Sequence, residues 1–385
     1  MLSRPIRKFI AAGLVRGPWN SRWLGPPKHG VRGVEPDLGA TLIESGYPPL
    51  PVPEPSPSTP PGLLAELHRS SAWDIPPLYL ARLRHARYYQ PSFAVIDARD
   101  RLLHAFSQGW EESARGCNYA FEQVRLRRPR HLPGRSLLLD VKTHSQNYFH
   151  WLIEAVPRFQ LAERAGCAPG GFEHVLVSSP SMAFHTETFA RFGLAPERIV
   201  DTAAYPHVEC DELVVATEPA MFAYDAAVAG IRAAFLTRDR PVGSPSRLFV
   251  SRADAPARRI RNEEELFQRL APLGFTRVSL TGRTIAEQAE IFHGAGVIVS
   301  AHGAALANLV FCAPGATVVE LHYPRYTLGL YWRMARQLGL GYAGLQGDTV
   351  AAEAGKDPRL ADMTIDAEAC VALVTEVLKL RPSTS

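Results

Sequence analysis

Three stretches bring together residue types that can do chemistry. The first, residues 144–158, reads HSQNYFHWLIEAVPR. Placed on a helix, Asn147, His150 and Glu154 fall at i, i+3 and i+7, and Arg158 lies four residues beyond Glu154, so all four share one polar stripe. A histidine and a carboxylate one turn apart suit the removal of a proton from an acceptor hydroxyl. The plainer alternative is a solvated face held by i,i+4 pairs. Two features weigh against it. Phe149, Leu152, Ile153, Val156 and Phe159 make the rest of the helix too apolar for the periphery. The stretch also follows an apolar run ending in Asp140, Val141 and Lys142, and α/β sheets place ligands beyond strand ends. His144 and Asn147 therefore fall to the acceptor side, and Pro157 is expected to end or kink the helix.

The second stretch, residues 297–308, reads VIVSAHGAALAN. A buried strand turns at Gly303 into a helix whose first residues, Ala304 and Ala305, leave the leading N–H groups uncovered. A helix start at the carboxyl end of a parallel strand attracts anions. His302 stands at its mouth and Asn308 lies one turn in. In the third stretch, residues 251–263, Arg252 follows a strand, and Arg258 and Arg259 lie on the loop to the next helix. Guanidinium forks match a diphosphate. Asn262 with Glu265 reads as an N-terminal capping box, and Glu263 as a first-turn charge facing the helix dipole. Glu320 ends the run TVVEL, where a carboxylate suits ribose hydroxyls. No Gly-x-Gly-x-x-Gly follows a strand, no Walker-type loop is present, and no Asp-x-Asp pair follows a strand, so the set calls for no metal.

These residues need a frame. The chain has 385 residues, 46% of them hydrophobic, which is enough for two cores rather than a disordered chain. The net charge of +4 is too small to suggest nucleic-acid binding. Five widely spaced cysteines with no C-x-x-C read as buried thiols in a reducing compartment. No apolar run is long enough to span a bilayer. Phe9–Val15, preceded by Arg4, Arg7 and Lys8, leaves peripheral attachment to a membrane face open. Residues 47–62 are half proline and suit only an extended spacer. Beyond them short β-rich runs alternate with helical ones: 136–141, 174–178 and 212–216, then, after the break RPVGSPS at 240–246, 247–251, 277–280, 297–300 and 317–321. That alternation means βαβ units and parallel sheets. The expected organisation is a Pro-rich extension over 1–70, a Rossmann-like domain over 71–239, and a second over 240–385 ending in a helix at 367–380.

Taken in order and spacing, NYFHWLIEAVPR, SR…RRIRNEEEL and EQAEIFHGAGVIVSAHGAALANLVFCAPGATVVEL resemble glycosyltransferase family 61, over roughly residues 135–325. The bacterial capsular-polysaccharide branch is the nearest, since a membrane anchor and paired cysteines are missing. The resemblance implies a GT-B architecture, two Rossmann-like domains facing a cleft. It also implies an inverting transfer from a nucleotide sugar, a UDP-sugar being the expected donor, to a glycan, polysaccharide or lipid-linked acceptor. Glu154 or His150 would be the base. Arg252, Arg258, Arg259, His302, Gly303, Ala304, Asn308 and Glu320 would hold the nucleotide sugar, with no metal and no cofactor. The expected location is cytoplasmic. Two other classes stay open: an epimerase-type enzyme acting on nucleotide sugars, and a non-catalytic carbohydrate-binding or polysaccharide-assembly protein.

Overall fold

The computed structural model describes residues 26–46, 59–70, 75–107, 118–141, 145–217, 225–237, 246–351 and 355–380. The fold is mixed α/β with parallel-sheet segments. It divides into two compact units, one from residues 1–47 and 76–231, the other from residues 48–75 and 232–385. Phe9–Val15 and the break at 240–245 lie outside the described residues.

Unit 1 is built on nine strands: β1 (His29–Val31), β2 (Thr41–Glu44), β3 (Leu78–Tyr89), β4 (Ala94–Ile96), β5 (Arg101–Leu103), β6 (Arg130–Leu138), β7 (His174–Val177), β8 (Ile199–Asp201) and β9 (His207–Ala216). They run in the order β1-β5-β4-β3-β9-β6-β7-β8, with β2 also on β3. The expected parallel sheet holds for one half, where β9, β6, β7 and β8 are parallel. It fails for the other, because the long β3 runs antiparallel to β9. Their apolar faces meet in one core containing Ala81, Leu83, Leu132, Leu176, Leu213 and Val215. Part of the segment expected to be an extension supplies β1 and β2.

Unit 2 carries five strands, β10 (Ser246–Val250), β11 (Phe275–Val278), β12 (Ala295–Ala301), β13 (Thr317–His322) and β14 (Gly341–Gln346). All neighbours are parallel, in the order β11-β10-β12-β13-β14. Their nearly continuous apolar sequences fit a sheet covered on both faces. Helices Glu263–Leu270 and Ala367–Leu380 bury Leu266, Leu270, Cys370, Val374 and Val377 against Phe249, Val299 and Leu321. A two-stranded pair, β15 (Asp348–Thr349) with β16 (Met363–Thr364), completes the unit. Thr59 and helix Pro61–Arg69 also belong here: Thr59 accepts from the Gly344 N–H at 3.0 Å, and Leu63 and Leu67 pack on Trp332. The end of the proline-rich run is therefore fixed to a core.

In a 2-1-3-4-5 strand order, the connections from β10 and β12 leave in opposite directions. That switch point opens a crevice at the carboxyl ends of the two strands, where α/β sheets take ligands. Residues 251–260 follow β10 and residues 302–304 follow β12.

Candidate active site

In unit 1, the stretch after β6 folds as a short α-turn, Tyr148–His150, a π-turn, Trp151–Ala155, and an α-helix, Pro157–Arg164. Asn147 caps it, its side-chain oxygen accepting from the Phe149 N–H at 2.9 Å. The helix does not end at Pro157 but widens before it. Proline lacks an N–H and its ring crowds the carbonyl four residues back, here that of Ile153. The Val156 N–H accordingly reaches back five residues to the Trp151 carbonyl. Such π-turns often mark functional sites.

Glu154 lies within this widened turn and is 1% exposed. Its Oε2 is 3.0 Å from His150 Nδ1, and the His150 side chain retains 18% exposure. The carboxylate is thus behind the imidazole, and the imidazole is the member that solvent reaches. The inner half of the stripe is interior, against the solvated-face alternative: Glu154 and Arg158 are buried, Arg158 donating to the carbonyls of Glu154 and Leu138, while Asn147 is exposed. Trp151 anchors the opposite side, its indole N–H donating to Thr188 Oγ1 at 2.9 Å.

Asp140, just past β6, braces the approach to this helix. It is 1% exposed and accepts from Tyr88 Oη at 2.9 Å, Thr202 Oγ1 at 2.7 Å and Ser145 Oγ at 3.3 Å. The Ser145 carbonyl in turn accepts from His185 Nε2 at 2.7 Å. Burial, with the nearby Asp140 charge, pushes the Tyr88 phenol well above its ordinary range, so it remains a donor. His144 lies outside the described residues.

In unit 2, Arg252 turns back over the switch point. Its Nε donates to the Arg258 carbonyl at 2.9 Å and an Nη to the Ala257 carbonyl at 3.1 Å. Its remaining terminal nitrogen lies against Gly303, where a Cβ would stand 2.3 Å from it. Gly303 is extended, with φ 168°, so glycine is needed here for close approach and not for backbone freedom. Arg258 has φ 58°, a conformation side chains rarely adopt. The Tyr323 hydroxyl holds its carbonyl, and its guanidinium lies 5.9 Å from the ring centres of Tyr323 and Tyr326. Glu263, expected to be a first-turn charge, is a brace: it accepts from Ser251 Oγ at 2.5 Å and from the Arg252 N–H at 2.8 Å.

The capping box is not formed. Asn262 uses its amide on Ile365 instead, accepting from its N–H at 3.0 Å and donating to its carbonyl at 2.8 Å, because β16 lies alongside. Ala304–Phe311 is a 3₁₀ rather than an α-helix. Ala304 opens it, while Asn308 is buried and donates to Gln288 Oε1 and to the Ala305 carbonyl. Arg259 turns to Asp362, 3.4 Å away, which Arg261 also approaches at 2.7 Å. The structure therefore gathers Arg252, Arg258, His302, Gly303 and Ala304 at the switch point. Arg259 and Asn308 are engaged elsewhere.

His302 is joined to a buried carboxylate. Its Nδ1 is 2.5 Å from Glu320 Oε1, and Tyr342 Oη donates to Oε2 at 2.7 Å. His322 Nε2 meets the Tyr342 hydroxyl at 2.8 Å. Burial drives the His322 imidazole down to about 4, so it is neutral at physiological pH. Burial also works to raise Glu320, but His322 and the hydrogen bonds from His302 and Tyr342 outweigh it and hold the carboxyl below its usual range. Potential ligand atoms of His302, Glu320 and His322 lie within 4.8 Å of one another. Both Glu320 oxygens also accept hydrogen bonds, which join these residues and Tyr342 into one network. Its unexpected member is Tyr342: in register it pairs with Val318, a placement that only the sheet reveals.

Residues 148–319 match the model of the family described as Glycosyltransferase 61. The span begins at the capped helix, takes in the His150–Glu154 pair and the arginine loop, and closes within β13. Over that span, 172 of the 385 residues, the chain is similar to the glycosyltransferase 61 family, and that similarity implies sugar transfer from a donor to a glycan acceptor. No curated protein matches the chain. Among the described residues, no helix is long and apolar enough to cross a membrane.

Proposed function

We propose that the protein is an inverting, GT-B-type glycosyltransferase that takes its sugar from a nucleoside diphosphate, a UDP-sugar first among them, without a metal. The observation that carries this reading is the switch-point cup. The Arg252 guanidinium, held by backbone carbonyls, lies against Gly303 at the start of a 3₁₀ helix beside His302, and the half-buried Arg258 of the same loop lies near two tyrosine rings. Charge growing on a departing diphosphate is stabilised by fixed donors aimed at it, commonly the dominant contribution to such catalysis. On the acceptor side His150 takes the hydroxyl proton, and Glu154, buried behind it, orients the ring and stabilises the imidazolium. The burial of Glu154 behind the ring supports reading it as the positioning partner and His150 as the base. The acceptor is a glycan or polysaccharide hydroxyl, and the cell interior is the setting.

The test combines calorimetry with turnover. UDP, GDP and ADP are titrated into the full chain, and UDP-sugars are then assayed with oligosaccharide acceptors and excess EDTA. Expected are binding of one nucleoside diphosphate, transfer that survives EDTA, and at least about a tenfold loss of affinity in Arg258→Ala, the lower end for a charge-assisted hydrogen bond. Donor turnover with no acceptor would point to an epimerase, and binding with no turnover on any pair to a carbohydrate-binding protein.

A further inference from the structure

We infer that the acceptor is an oligosaccharide of at least two linked rings, and that Tyr148, backed by Phe184, is the platform on which the ring beyond the reacting sugar stacks. This rests on His150 being the base of a glycosyl transfer. Asn147 caps the first turn of the site helix, which holds Tyr148 and His150 ahead of the widened turn that starts at Trp151. At about 100° per residue, Tyr148 and His150 project from opposite flanks of that turn, and Asn147 lies between them.

The Tyr148 ring stands edge-on to Phe184, with 5.7 Å between centres, and Phe184 in turn lies 6.1 Å from the buried Trp151. Tyr148 and Phe184 are half-buried, and Met182, at the start of the helix Ala183–Arg191 that carries Phe184, is 40% exposed. Large apolar side chains left open in neighbouring segments, with a polar residue at their rim, mark a binding surface. Asn147 supplies that rim. It is exposed and its side-chain oxygen takes the Phe149 N–H, which leaves its amide N–H groups for a sugar hydroxyl. A pyranose gathers C–H groups on one face of the ring, and these complement the electron-rich face of an aromatic side chain.

The platform is held rigid. His185, fully buried, accepts from the Met182 N–H at 3.0 Å through Nδ1 and donates from Nε2 to the Ser145 carbonyl at 2.7 Å, so it ties together the segments that follow β7 and β6. Burial holds its imidazole below the ordinary histidine range, which keeps the ring neutral with one N–H for that donation. Ser145 and Ser179, one in each segment, have φ of 57° and 50°. Side chains rarely adopt that conformation, and it is kept mainly at ligand sites. The cross-section of the helix then sets the length of the ligand. With side chains it is about 10–12 Å across, a width that one pyranose at His150 does not bridge and two linked rings do. With Nδ1 turned to Glu154, His150 offers Nε2 to a hydroxyl of the first ring. The second ring passes over Asn147 onto Tyr148.

Saturation-transfer NMR and chemical-shift titration on the full chain, with and without UDP, compare glucose with cellobiose, galactose with lactose, and N-acetylglucosamine with chitobiose. In at least one pair the disaccharide is expected to bind about tenfold more tightly than the monosaccharide, the worth of one aromatic stacking contact, with its second ring saturated most strongly. Tyr148→Ala should erase that preference and Tyr148→Phe should keep it, circular dichroism confirming the fold of each. A merely structural tyrosine would leave the ratio of the two affinities where it was. The wild-type measurement needs no variant to fold: equal affinities within every pair, or binding of none of these sugars, overturns the proposal. A preference that persists in Tyr148→Ala also overturns it. None of these results removes the transferase reading, which stands or falls on nucleotide binding and on the turnover of His150→Ala.

Discussion

His150 and Glu154 show how far spacing alone can be read. One turn apart in sequence, they are 3.0 Å apart in the fold. Which one faces the solvent depends on burial, and burial depends on packing around Trp151 and Arg158 that no spacing rule states. His150→Ala is expected to lower kcat by about 10²–10⁴, the usual cost of removing a general base. Glu154→Gln should also lower it, with donor affinity unchanged. Retention of more than about a tenth of turnover by both variants in a steady-state assay would remove the pair from the chemistry. Gly303 offers a second test at this scale. A methyl at that position meets the Arg252 guanidinium at 2.3 Å, so Gly303→Ala should displace it. Calorimetry should show nucleotide affinity falling roughly tenfold or more, one charge-assisted hydrogen bond's worth. Thermal stability should hardly change, because the displaced group sits at the crevice. Arg252, His302 and Glu320 are legible in the sequence because each follows or ends an apolar strand run. Asp140 and Tyr342 are not legible as partners, because their hydrogen bonds join segments far apart in sequence.

Among the elements, the legible ones are those whose hydrophobic pattern is uninterrupted. β10, β12 and β13 are short apolar runs followed by helices, and the helix Ala367–Leu380 has its full extent in its periodicity. β3 escapes a pattern reading because its alternation resets at His85, which has φ 49° and is exposed between two buried stretches. β14 escapes it because its sequence, GYAGLQ, has two glycines and little β-branching. Glycine is nonetheless demanded there: at Gly341 a Cβ would stand 2.6 Å from Thr317 Oγ1, across the register that joins β13 and β14. Pro157 signals a stop or a kink, but the chain adapts by one π-turn. Restoring the missing N–H with Pro157→Ala lets the turn relax toward an ordinary α-helix and rotates Glu154 relative to His150. The expectation is an unchanged or higher melting temperature by calorimetry, with kcat down by about tenfold or more. A variant that keeps full turnover would show that the π-turn is a response to proline and nothing more.

At the scale of the whole molecule, buried histidines contribute to the response to acid. His207 in unit 1, capped by the Arg127 carbonyl and edge-on to Tyr89, is pushed by burial down to about 4, as His322 is in unit 2. Each is depressed in the fold relative to about 6.5 in the unfolded chain. The unfolded state therefore binds more protons between those values. Stability is complete above about pH 6.5 and is lost as pH falls toward 4, by on the order of 3 kcal/mol for His207 alone. Urea titrations of the full chain across that range should show the loss, and His207→Gln should flatten it. On the function proposed above, nucleotide acts on unit 2. A ligand present at 100 times its Kd adds about 2.7 kcal/mol to whatever it binds. Since Arg252, Arg258, His302 and Gly303 all lie in unit 2, UDP should raise only the unfolding transition of that unit. Hydrogen exchange should slow at residues 251–260 and 302–306, the loops beyond β10 and β12, while β6, β7 and β9 of unit 1 exchange as before. Protection centred instead on residues 147–155 would move the donor site to unit 1 and leave the arginine cup a structural feature of the switch point.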